Sequence, residues 1–231
     1  MTPLVLLPGM MCDARLFAPQ INALHGERDV HHLPLDGHDA ISDLARAVLA
    51  AAPPTFALAG LSMGGIVAME VIRQAPERVT RLALLDTNPK AEAREVAARR
   101  EPQIAKVKQG LLAQVMRDEM KPNYLTDGPR RAEILDLCMD MALTRGPEVF
   151  IRQSRALQTR PDQQDTLRGI RVPTLILCGR DDTLCPLHRH ELMRDLIPQS
   201  TLQIIENAGH LPTLEQPEQT IAALRRWLEA P

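Results

Sequence analysis

Aromatic side chains are almost absent from this sequence: three Phe, one Tyr and one Trp make up 2% of its 231 residues. That argues against base-stacking platforms and leaves the core to Leu, Ile, Val, Ala and Met. A charge excess is missing too. The 27 basic and 29 acidic residues leave a net charge of −2, which excludes the broad basic footprint of a nucleic-acid binder. Only four cysteines occur, Cys12, Cys138, Cys178 and Cys185. None stands in a C-x-x-C pair and no Cys/His cluster has zinc spacing, so neither a metal nor a disulfide framework is expected. Cys178 falls in an apolar run and reads as a buried thiol; the set suits a reducing compartment. No apolar run nears the roughly 20 residues that span a bilayer, and Leu4–Leu7 is too short for a signal-peptide core. A cytoplasmic protein with no nucleic-acid and no membrane partner is the expectation.

What remains is an ordinary globular composition, 45% hydrophobic and 24% charged, sufficient for one large α/β domain. Leu4–Leu7 is a continuous apolar run stopped by Pro8-Gly9, which reads as a buried parallel strand feeding a tight loop. Further strands are predicted at 29–35, 55–61, 79–85, 172–178 and 202–205. Ile41, Leu44, Ala45, Val48 and Leu49 recur at helical spacing, and helices are also predicted at 63–74, 187–197 and from Pro217 onward. Strand and helix alternate in the way that builds a parallel sheet with helices on both faces. The alternation stops between Pro89 and Gln164. There, 91–109, 111–120, 130–144 and 147–157 all read as helix and no strand is evident. The expected organisation is an α/β core at 1–88, a helical lid at 89–165 and the rest of the core at 166–231.

Gly60-Leu61-Ser62-Met63-Gly64 is a G-x-S-x-G pattern between a strand and a helix. A sharp strand-to-helix turn would present the Ser62 hydroxyl above the sheet. Gly60 and Gly64 suit it, because side chains there would collide as the helix folds back. A serine nucleophile needs a base and a carboxylate that orients the base. The carboxyl ends of the other strands are where such groups gather. Asp182 follows the strand at 172–178 and His210 follows the last strand; Asp181 and Asp86 are alternative acids.

The G-x-S-x-G elbow, the segment Gly179 to Pro186 read as G-x-x-D-x-x-x-P, Gly209-His210 and the chain order Ser62, Asp182, His210 together resemble the α/β-hydrolase superfamily. The resemblance covers nearly the whole chain and extends to Leu211-Pro212 and Glu215-Gln216-Pro217-Glu218. It implies Ser62 as nucleophile, His210 as general base and then acid, and Asp182 as the residue that fixes the imidazole. It also implies an oxyanion hole of two backbone N–H groups, from Met63 and from Met10, with Met11 as the alternative to Met10. Many members carry His-Gly after the first strand; here Pro8-Gly9 replaces it. Many also begin with two antiparallel strands, so a six-stranded sheet is expected, as a monomer or a homodimer.

The implied activity is hydrolysis of a small or medium carboxylic ester through an acyl-serine, without a cofactor. Lactonase, thioesterase and carbon–carbon bond hydrolase are alternatives on the same triad, and a non-catalytic small-ligand receptor is the alternative of another class. Met11, Met116, Met120 and Met141 are candidates to line a substrate pocket. Arg145, Arg152 and Arg155 either bind a substrate carboxylate or form a solvated helix face.

Overall fold

The computed structural model describes residues 1–230. Its centre is one sheet of six strands, β1 (Leu4–Leu7), β2 (Val30–His32), β3 (Phe56–Leu61), β4 (Val79–Leu85), β5 (Thr174–Gly179) and β6 (Thr201–Ile205), in the order β2-β1-β3-β4-β5-β6. Every neighbouring pair is parallel. Both faces are covered, so β1, β3 and β5 are buried along their full length, as their unbroken apolar runs require. The edges differ: β2 is half-buried and β6 begins exposed.

Eleven helices accompany the sheet among the described residues: α1 (Ala18–Leu24), α2 (Ile41–Ala51), α3 (Met63–Gln74), α4 (Arg94–Lys108), α5 (Leu112–Val115), α6 (Arg131–Arg145), α7 (Pro147–Gln158), α8 (Gln164–Gly169), α9 (Leu187–Leu196), α10 (Pro212–Glu215) and α11 (Pro217–Glu229). The two-residue period of the strands sorts the core into two layers. Val5, Leu7, Leu58, Leu82, Leu84 and Ile176 pack with α2, α3 and α9. Leu4, Leu6, Ala57, Ala59, Leu85 and Leu177 pack with α1 and α11.

The stretch between β4 and β5 is helical throughout, as its composition predicts. Pro102 sits inside α4, and the expected helix at 111–120 divides. It runs as α5, then as a π turn over Met116–Met120 and a 3₁₀ turn over Lys121–Asn123. Pro122 explains the stop, since it lacks the N–H that a continuing helix needs. Three short helices, α1, α8 and α10, were not foreseen. The stretch between β1 and β2, read as loop, holds α1, a short helix with Pro19 in its first turn that buries only Gln20 and Leu24. So short a segment has no readable stripe.

The helical insertion is not a separate globule. Ile104, Val115, Phe150 and Leu157 belong to the same hydrophobic cluster as the α2–α3 layer, whereas Tyr124, Cys138 and Met141 belong to the α1–α11 layer. It bridges the two layers at the carboxyl end of the sheet, where the loops after β1 and β6 touch it: the Met11 N–H donates to Gln153 Oε1 at 2.8 Å and the His210 N–H donates to the Tyr124 carbonyl at 2.7 Å. No described helix is long and apolar enough to cross a membrane.

Candidate active site

Ser62 stands between β3 and α3 with φ 54° and ψ −115°. An L-residue at positive φ is strained, and the surroundings hold this one in place. Its N–H donates to the Leu85 carbonyl at 2.9 Å, and its own carbonyl accepts from Thr87 Oγ1 at 2.7 Å. The flanking glycines are required by space: a Cβ at Gly60 would lie 2.2 Å from the Gly64 carbonyl oxygen, and one at Gly64 would lie 2.1 Å from that of Leu7. Substitution at either position would push the helix off the strand.

His210 reaches the serine from the far end of the sheet. Its Nε2 lies 2.9 Å from Ser62 Oγ and its Nδ1 lies 2.8 Å from Asp182 Oδ2. The other Asp182 oxygen accepts the N–H groups of Leu184 at 2.8 Å and Cys185 at 3.0 Å. Burial alone would push this carboxyl up. The adjacent His210 and the two N–H donors outweigh it and hold the group below its ordinary value. The loops bearing the two residues are tied together, because the Asp181 N–H donates to the Ala208 carbonyl at 3.0 Å.

The two alternative acids are placed elsewhere. Asp181 is exposed. Asp86 is fully buried at φ 44° and accepts the Gly179 N–H at 2.8 Å. Burial, and then the charge of Asp182, drive its carboxyl well above the ordinary range, and its second oxygen is buried without a partner.

The backbone N–H groups of Met10 and Met63 have no acceptor among the described residues. The Met10 loop lies against the serine: a Cβ built on Gly9 would sit 3.6 Å from Ser62 Cβ. Met63 opens α3, where the first N–H groups have no intrahelical partner. The Met11 N–H is occupied by Gln153, whose Nε2 also donates to the Leu35 carbonyl at 3.0 Å.

Of the four methionines singled out for a pocket, Met11, Met116 and Met141 are buried and Met120 is half-exposed. The three arginines are engaged with neighbours. Arg145 pairs with Asp36, Arg152 donates to the Asp36 carbonyl at 2.8 Å, and Arg155 pairs with Glu101.

Three supporting residues gave no sequence signal of their role. Fully buried Gln153 braces the loops after β1 and β2. His190 accepts the Thr87 N–H at 3.2 Å behind the serine, and burial brings its pKa down to about 4. Glu215 accepts from the Gly209 and Leu211 N–H groups on either side of His210 and from Thr126 of the insertion. Its position within Glu215-Gln216-Pro217-Glu218 was the one available hint.

Asp182, Cys185 and His210 bring their ligand atoms within 4.8 Å of one another. Burial raises the Cys185 thiol well above its ordinary value. The histidine and aspartate atoms of this set are already engaged in hydrogen bonds. All four cysteines are buried free thiols.

The model of the alpha/beta hydrolase family matches residues 4–224. This chain belongs to that family. Among its relatives is the pimeloyl-[acyl-carrier protein] methyl ester esterase of Aliivibrio salmonicida, 25% identical over 98% of this chain and 92% of the relative. The esterase of the same name from Photobacterium profundum is 27% identical over 98% and 94%. Among solved structures, a thermophilic esterase from Thermogutta terrifontis with malate bound superposes with a TM-score of 0.90 at 28% identity, covering 99% of this chain and 89% of that one. The enol-lactonase from Burkholderia xenovorans LB400 superposes at 0.88 with 21% identity, over 99% and 92%, a likeness of fold.

Proposed function

We propose that the protein is a serine hydrolase that cleaves a carboxylic ester of a small or medium substrate. The observation that carries this reading is the unbroken hydrogen-bonded line from Ser62 Oγ through the His210 ring to Asp182. The esterase names of the relatives support the same class of bond.

Ser62 Oγ attacks the ester carbonyl carbon and its proton passes to His210 Nε2. The carbonyl oxygen becomes an oxyanion and accepts from the Met10 and Met63 N–H groups. Each such donor is worth about 3 to 4 kcal/mol of transition-state stabilisation. The C–O bond then breaks, His210 returns the proton to the leaving alkoxide, and an alcohol departs. Water attacks the acyl-serine as His210 takes its proton. The acid leaves, and Ser62 recovers its hydrogen. Asp182 keeps the Nδ1–H tautomer and stabilises the imidazolium that forms twice in the cycle. The insertion at 89–165 acts as the lid, with half-exposed Met120 available to a substrate.

The test is turnover of p-nitrophenyl esters of graded chain length, several lactones and a thioester, by the wild type and by Ser62→Ala. We expect ester turnover by the wild type and a loss of about four to six orders of magnitude in kcat for the variant. A fluorophosphonate should label Ser62 alone. Full activity in Ser62→Ala overturns the reading, and tight ligand binding with no turnover would favour a receptor instead.

A further inference from the structure

A second group of charges lies beside the candidate site, inside the insertion. Glu92, just before α4, receives Arg100 Nη2 at 3.0 Å and has Arg160 Nη1 at 3.8 Å. The side chains are 4%, 11% and 9% exposed for Glu92, Arg100 and Arg160. Two guanidinium groups therefore share one carboxylate, and the Nε atoms of both arginines are buried without any partner. A buried excess of positive charge is costly unless an anion completes it. Burial accordingly lowers the Arg160 pKa even with Glu92 beside it.

The position of this group links it to the reacting atoms. Arg100 Nη1 approaches Met10 Sδ at 3.9 Å, on the loop whose Gly9 lies against Ser62. Arg100 thus lies against the loop that borders Ser62, and Arg160 shares its carboxylate partner.

We propose that Arg100 and Arg160, held by Glu92, form an anion subsite that selects esters bearing a carboxylate in the acyl chain. Guanidinium suits this role because its planar fork matches a carboxylate. One net positive charge beyond Glu92 fits one added carboxylate. The exposed arginines are unsuited, since Arg145 and Arg155 already have carboxylate partners. The inference rests on the ester-hydrolase reading for its chemistry, although the subsite itself does not.

The experiment compares the half-methyl esters of succinate, glutarate and adipate with methyl butyrate, valerate and hexanoate, read by acid release. We expect at least one acid ester to exceed its neutral partner about tenfold in kcat/KM. Arg100→Gln and Arg160→Gln should lower that ratio about ten- to a hundredfold, through KM. Glu92→Gln should raise it, and Arg168→Gln on exposed α8 should leave it unchanged. An unchanged ratio in both folded arginine variants overturns the proposal. Should they fail to fold, inhibition of wild-type hydrolysis decides. Adipate inhibiting much better than adipamide, less so at high salt, supports the subsite, and equal inhibition overturns it. Neutral-ester turnover lost in Ser62→Ala but without acid preference removes the subsite and keeps the hydrolase. No turnover at all, with adipate raising the Tm of the wild type but not of Arg160→Gln, does the reverse.

Discussion

The ends of β4 and β5 each carry a buried aspartate, and the fold moves their pKa values in opposite directions. Asp182 has His210 and two N–H donors, so its carboxyl is held down. Asp86 has one N–H donor, a buried oxygen with no partner and a negative neighbour, so its carboxyl is held up. Similar burial with unequal donors thus moves the two carboxyls in opposite directions. Position at a strand end is therefore not enough to make an aspartate the orienting acid.

The sharpest way to break this comparison is to convert each aspartate to its amide. Asp182→Asn should lower kcat about 10⁴-fold, because the amide favours the wrong tautomer of the histidine. Asp86→Asn should stay within about tenfold, since burial shifts the Asp86 carboxyl toward its neutral form, which an amide resembles. Steady-state kinetics on one ester checks both, and similar losses would erase the distinction.

Glu215 is the next lever, because it secures the loop that gives His210 to Asp182 and not to Asp86. Glu215→Ala leaves several N–H groups without their acceptor. We expect about 2 kcal/mol of lost stability in denaturant titration, with kcat down about tenfold.

The pH dependence of stability separates the two carboxyls by sign. The Asp182 pKa is depressed on folding, so its contribution is present above the ordinary value of 3.8 and is lost as pH falls through the folded value. The Asp86 pKa is raised, so its cost appears as pH rises from 3.8 toward the folded value. Thermal unfolding from pH 3 to 8 should show Asp182→Asn approaching the wild type at the acid end. Over the same range Asp86→Asn should gain on the wild type as pH rises. Parallel curves would overturn the assignment.

The smallest effect is expected at Arg180, which pairs with Glu206 on the surface beside the Asp182 loop. Exposed pairs of this kind contribute little, so Arg180→Gln should leave Tm and kcat unchanged.

The strand periodicity, the elbow at Gly60 to Gly64 and the strand-end positions of Asp182 and His210 were readable along the chain because each rests on local spacing. The seven-residue α1 and the break after α5 were not, since one lacks a stripe and the other depends on where Pro122 can pack. The braces by Gln153 and Glu215, and the meeting of Glu92 with Arg100 and Arg160, were also out of reach. They join residues from different elements, and nothing in the local sequence marks which arginine will find a carboxylate already taken. Arg145, Arg152 and Arg155 look equally available in the chain, yet each is engaged with a neighbour.

By itself, the sequence determined the alternation of strand and helix, the family and the order of the three candidate residues. These follow from short-range pattern and from residue types that few other roles demand. The tertiary structure decided in which direction each aspartate's pKa moves, which of the Met10 and Met11 N–H groups is free, and where unbalanced positive charge is buried. Ionisation and hydrogen-bond satisfaction depend on donors and acceptors brought from other elements, and only the folded chain brings them together.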